Sequence, residues 1–170
     1  CYAGSVLRTR PDEFGGSREP IQIGAELFGH GGPESDAEML NLMIATLRLI
    51  GIGEPHFDLG HVGVFRGLAE QAKLNAEQEA ELFEALQRKA RNEVEQLLDA
   101  NKVAASSRKM LLALLDLAGG AEVLADARKR LKAAPTSVMR ALDNLQKVVQ
   151  FAAVQPNVPT LHFDLAELSG

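Results

Sequence analysis

Tryptophan is absent, and cysteine and tyrosine occur once each. Aromatic residues make up only 5% of the 170 residues. Any core must therefore be packed from Leu, Ile, Val and Ala. A single cysteine excludes an internal disulfide framework and fits a reducing, cytoplasmic compartment. No apolar run approaches the ~20 residues of a membrane span, so no membrane partner is expected. Positive charge is in deficit, with a formal net charge of -5. A surface that grips nucleic acid broadly is not expected from that balance. No Gly-x-Ser-x-Gly elbow is present. The turn His30-Gly31-Gly32-Pro33 has neither phosphate-loop spacing. The four histidines are scattered without an i, i+4 pair or a cysteine partner, which predicts structural histidines and no metal site.

What is present reads as an α+β chain. Residues 2 to 10 and 20 to 29 read as two strands, with Gly and Pro turn chemistry between them. Ile21, Ile23, Ala25 and Leu27 alternate with Gln22, Gly24 and Glu26. Ser35 and Glu38 have capping-box spacing ahead of a helix carrying Leu40, Met43, Ile44, Leu47 and Ile50. Gly51 and Gly53 end that helix. A short strand around Phe57 to His61 and a helix from Val64 to Lys73 follow. Asn75 opens a long charged helix reaching about Ala100. Residues 109 to 118 and 121 to 131 read as helices separated by Gly119-Gly120. Pro135-Thr136 opens a last helix, and Leu161, Phe163 and Leu165 alternate as a closing strand. This predicts a sheet domain over 1–74 and 156–170 with a helical insertion over 75–155. The strand-like ends, without an initiator Met, read as a piece of a longer protein.

The hairpin carries the chemistry. Arg8 and Arg10 share one strand face, and Gln22 and Glu26 share one on the other strand. Gly24 between them reads as a gap where a ligand approaches the backbone. Guanidinium groups suit phosphate or carboxylate, and Glu and Gln suit an ammonium group. The face thus fits an amino acid or a nucleotide phosphate. A half-exposed sheet with its polar side in water accounts for the same alternation. The basic run Arg88, Lys89, Arg91 is surrounded by Glu84, Glu93 and Glu95 and reads as a solvated helix face. The apolar stretch from Met110 to Leu117 reads as core.

The run Tyr2-x-Gly4-x-Val6-Leu7-Arg8, followed by Arg18-Glu19-x-x-Gln22-x-Gly24-x-Glu26-x-x-Gly29, resembles motif 2 of class II aminoacyl-tRNA synthetases, in the histidyl branch. Leu59 to Phe65 and the closing Leu161-His162-Phe163-Asp164-Leu165-x-Glu167-Leu168 resemble a paralogous family, the regulatory subunits of ATP phosphoribosyltransferase. The resemblance implies a class II antiparallel sheet. It implies that Arg8 matches the arginine holding the ATP α-phosphate. Where the synthetases carry a nucleotide-binding Glu two positions on, this chain has Arg10, an acceptor replaced by a donor. Gln22 and Glu26 match the residues that hold substrate histidine. With Arg18, Arg8 and Arg10 would form a vestigial phosphate face. Glu26 as a structural acceptor for Arg8 or Arg18 is the rival reading. The resemblance implies a non-catalytic subunit without catalytic residues or a cofactor. Its implied partners are the short-form ATP phosphoribosyltransferase catalytic subunit, a further copy of itself, and histidine as ligand. An active histidyl-tRNA synthetase is the alternative, and Arg10 counts against it.

Overall fold

A computed structural model describes residues 1–9, 17–53, 55–154 and 158–167. The first expectation holds: β1 (Tyr2–Ser5) and β2 (Ile21–Gly24) pair antiparallel, with Gly4 opposite Gln22 and Tyr2 opposite Gly24. Both strands are shorter than their alternation suggests. Hydrogen bonds from Val6 N to the Pro20 carbonyl (3.0 Å) and from Arg8 N to the Arg18 carbonyl (2.9 Å) carry the same register onward. Ile21 and Ile23 are 79% and 72% exposed, so the apolar side of this hairpin is uncovered.

Helix α1 spans Pro33–Leu49. It begins two residues before the predicted cap, with Gly32 as N-cap. Pro33 explains the shift, because its fixed φ and missing N–H suit a first helical turn. Ser35 is buried inside that turn, where its hydroxyl pairs with His30 Nδ1 at 2.7 Å. Gly51, with φ of 88°, terminates the helix as expected. Leu40 and Ile44 are buried, while Met43 and Ile50 stand exposed.

Strand β3 (Phe57–Leu59) leads into α2 (Val62–Gln71), whose N-cap His61 accepts a hydrogen bond from Gly63 N. The expected long charged helix is two helices, α3 (Ala76–Gln87) and α4 (Arg91–Ala100). Asn75 caps α3 in a reciprocal capping box with Gln78. The break between them is at Lys89, which adopts a left-handed φ of 52°. Lys73 and Lys102 close α2 and α4 in the same way, with φ of 59° and 51°. Each lysine sits where glycine is commonest.

Helix α5 (Ala105–Ala113) passes through a 3₁₀ turn, Leu114–Asp116, into a two-residue strand, β4 (Ala118–Gly119). This strand was not expected, since residues to 118 read as helical. Helices α6 (Glu122–Arg130) and α7 (Thr136–Ala152) follow. Strand β5 (Leu161–Asp164) lies between β3 and β4, parallel to the first and antiparallel to the second. The sheet portions are thus one antiparallel pair and one mixed three-stranded piece.

One aliphatic core joins the elements from α2 onward. Val64, Phe65 and Leu68 of α2 pack with Leu82, Leu86, Leu111, Leu142 and Phe163. Met110, Leu111, Leu114 and Leu117 are buried, as their apolar run predicts. A smaller core forms where α1 meets α7, from Leu40, Ile44, Phe57, Val148 and Ala152.

Candidate functional site

The hairpin sets one face of side chains by register alone. Side chains of an antiparallel pair alternate, and directly opposed residues share a face. Tyr2, Gly4, Gln22 and Gly24 therefore lie on one side. Continued to Arg8 and Arg18, which face each other through the Arg8 N–H, the register adds two guanidinium groups to that side. Arg18 Nε also donates to the Arg8 carbonyl at 3.5 Å. Gln22 lies four positions from Arg18, roughly 13 Å at 3.3 Å per residue. The face thus has an amide end and a cationic end.

Gln22 is half-buried, and its Nε2 donates to the Tyr2 hydroxyl at 2.6 Å. The reading of Gly24 as an open gap is corrected. A β-carbon at Gly24 would collide with the Tyr2 ring, so the tyrosine already occupies that space. Gly24 is needed for the ring to lie there. Tyr2 opens the motif run, whose spacing assigns it no role. Its role depends on the register, which no spacing within one strand reveals.

Glu26 is exposed and lies two residues past the end of β2. Arg8 and Arg18 are exposed. Arg10 lies outside the described residues. The structure thus brings Gln22 together with Tyr2, and Arg8 together with Arg18, and leaves Glu26 apart from β2.

The two other motif runs meet in space. Gly60 sits against the turn after β5. A β-carbon there would collide with the Glu167 carbonyl and lie 3.0 Å from that of Asp164. Asp164 is buried, accepts from Ala166 N at 3.0 Å, and forms an ion pair with Lys89. The basic run is solvent-exposed, as expected, and each of its side chains is also ion-paired. Arg88 pairs with Glu93 at 2.9 Å and Arg91 pairs with Asp116. His56 and His162 stack with ring centroids 4.4 Å apart, and His56 Nε2 lies 3.2 Å from Asp58. Among the described residues, no group of three His, Cys, Asp or Glu side chains is placed to hold a metal ion. None of their helices is long and apolar enough to cross a membrane.

The family model for histidyl-tRNA synthetase matches residues 1–170. The ATP phosphoribosyltransferase regulatory subunit of Pseudomonas fluorescens strain Pf-5 is 50% identical over 171 residues. Those of Alkalilimnicola ehrlichii and Pseudomonas syringae pv. tomato are 51% and 52% identical over 172 and 171 residues. Each alignment takes in 100% of this chain and 42% of the relative, so the chain spans less than half the length of these proteins. A crystal structure of an ATP phosphoribosyltransferase regulatory subunit/histidyl-tRNA synthetase from Bacillus halodurans is similar, with a TM-score of 0.83 and 25% identity. That match covers 97% of this chain and 42% of the other. The match along its whole length and the shared architecture place this chain in the histidyl-tRNA synthetase family.

Proposed function

We propose that this chain is part of a non-catalytic regulatory subunit of ATP phosphoribosyltransferase. The observation that carries the reading is the ~50% identity, over the full chain, to relatives bearing that name. In this reading the natural protein assembles with a short catalytic subunit and is required for its activity. Histidine then inhibits the complex, as end-product control of histidine biosynthesis in the cytoplasm. Physically, inhibition requires that histidine bind one state of the assembly better than the other.

The hairpin face supports this division of labour. Gln22, its amide fixed by Tyr2, would hold the amino acid from the strand, and Glu26, two residues past β2, would join it from outside the face. Arg8 and Arg18, at the far end, would be the remnant of a phosphate site. Arg10 puts a donor where a synthetase needs an acceptor, so nucleotide activation loses a contact. Residues 75–155 act as a helical insertion. In support, β3 and β5, which flank these helices in sequence, are neighbours in one sheet, although β4 from within the stretch also pairs with β5.

The test is phosphoribosyl transfer by a short-form catalytic subunit, with and without the natural full-length protein, then with added histidine. Activity that depends on the protein and falls with histidine is the expected result. The description of the matched family favours one rival, an active synthetase. Phosphoribosyl transfer indifferent to the protein, together with histidine-dependent ATP–pyrophosphate exchange, would establish that rival instead.

A further inference from the structure

Residues 25–32 lead from the end of β2 to the start of α1, and Glu26 sits near their beginning. Its carboxylate is exposed and, among the described residues, has no hydrogen bond or ion pair. Gly29, with φ of 92°, and Gly31 face open space where a side chain would be. Such glycines leave a linker many conformations. Its backbone alone therefore does not hold Glu26 in place. Among the described residues, the stretch 25–31 makes one hydrogen bond, the 2.7 Å contact of His30 Nδ1 with the Ser35 hydroxyl. Ser35 is buried in the first turn of α1. That helix is itself fixed, because Ala37, Leu40 and Ile44 pack with Val148 and Ala152 of α7.

Gly32 makes room for this contact. A β-carbon there would lie 2.8 Å from His30 Cε1 and from Glu34 Oε2, too close to coexist with the ring as it stands. With φ of -149° the Gly32 backbone is extended and open to any residue. The space for the ring is thus what glycine supplies here. We infer that His30 is a positioning residue: its bond to Ser35 anchors the linker that carries Glu26, so the carboxylate meets the ammonium group of an amino acid already placed. A ligand that had to order the linker itself would lose affinity by that cost. The inference rests on the reading of Gln22 and Glu26 as an amino-acid pocket and deepens it. Tyr2 fixes Gln22 from within the hairpin, and His30 fixes Glu26 from the helix side.

The test is calorimetric titration of histidine into the natural full-length protein and its variants, with thermal melts to confirm folding. Glu26→Ala is expected to raise Kd about tenfold, as loss of a hydrogen bond to a charged group does. His30→Ala and Gly32→Ala should each raise it about fivefold, the factor of one neutral hydrogen bond. His30→Asn, whose amide offers a donor and an acceptor near the place of Nδ1, should recover most of that loss. In a Glu26→Ala background, His30→Ala should add nothing, because it acts through Glu26. Unchanged affinity in both His30→Ala and Gly32→Ala, with Glu26→Ala weakened, overturns the positioning role alone. An equal loss from His30→Ala with and without the Glu26 carboxylate also overturns it, and marks a general structural role. No effect of Glu26→Ala, or no histidine binding by the wild type, overturns it together with the pocket reading.

Discussion

The Tyr2 hydroxyl and the Gln22 amide are joined across the hairpin by a 2.6 Å hydrogen bond, with the tyrosine ring laid over Gly24. The amide is therefore oriented before any ligand arrives, and one of its donors is already spent. Tyr2→Phe is expected to weaken histidine binding by the natural full-length protein about five- to tenfold, the worth of one hydrogen bond. Gly24→Ala pushes the ring aside and should weaken it further. Stability should move by less than about 0.5 kcal/mol in Tyr2→Phe, since the hairpin is exposed. Titration calorimetry alongside thermal melts separates these effects. Equal histidine affinity in all three proteins would remove Tyr2 and Gln22 from the pocket.

Lys89 does two things that oppose each other. Its left-handed backbone costs stability, and its ammonium offsets the charge of the buried Asp164. Lys89→Ala keeps the backbone cost and removes the carboxylate's ion pair, leaving it the bond from Ala166 N, for an expected loss of about 2 kcal/mol. Lys89→Gly relieves the backbone and should recover about 1 kcal/mol of that. Equal denaturation midpoints for the two variants would show that the backbone term is negligible.

Lys73 and Lys102 share the left-handed conformation without an ion pair among the described residues. Glycine at either position is expected to stabilise the protein by about 0.5 to 1 kcal/mol. Urea unfolding of the two single variants and the double variant checks this. The effects should add, since each helix end is a separate local motif.

Gly60 leaves no room for a methyl group against the 164–167 turn. The obstructing atoms are backbone carbonyl oxygens, which cannot rotate away as a side chain would. Gly60→Ala should cost about 2 kcal/mol or more, among the larger effects of a single methyl. Chemical denaturation measures it, and a loss below 0.5 kcal/mol, the scale of an ordinary surface change, would mean the turn yields freely.

Two leucines calibrate the core. Leu142 is fully buried, and Leu49 is 87% exposed. Leu142→Ala should cost about 2 to 5 kcal/mol through lost transfer energy and the cavity left behind. Leu49→Ala should stay within about 0.5 kcal/mol.

The parts of the fold legible in sequence are those set by neighbours in the chain. Alternation from Ile21 marked the hairpin, Asn75 and Gln78 marked a cap, and Gly51 marked a stop. The break at Lys89 was not legible, because no Gly or Pro announces it. It is accompanied by an ion pair with Asp164, 75 residues away. Strand β4 is two residues long and exists only through its pairing with β5. Pro33 was the better start signal, and the Ser35–Glu38 spacing concealed it. At the site, period two placed Gln22 on a face. The covering of Gly24 by Tyr2 needed the cross-strand register as well.

The neighbouring of β3 and β5 also bears on synthesis. Roughly a hundred residues separate the two strands, and a ribosome adds about 5 to 20 per second. Phe57 to Leu59 must therefore wait on the order of 5 to 20 seconds for a partner. During that wait the strand has an unpaired edge on the side that β5 later covers. Helices α2 to α7, made in the interval, are rich in local contacts and form quickly. The nascent chain is then most prone to mispairing just before Leu161 emerges, which makes that interval the one in which a chaperone would matter most.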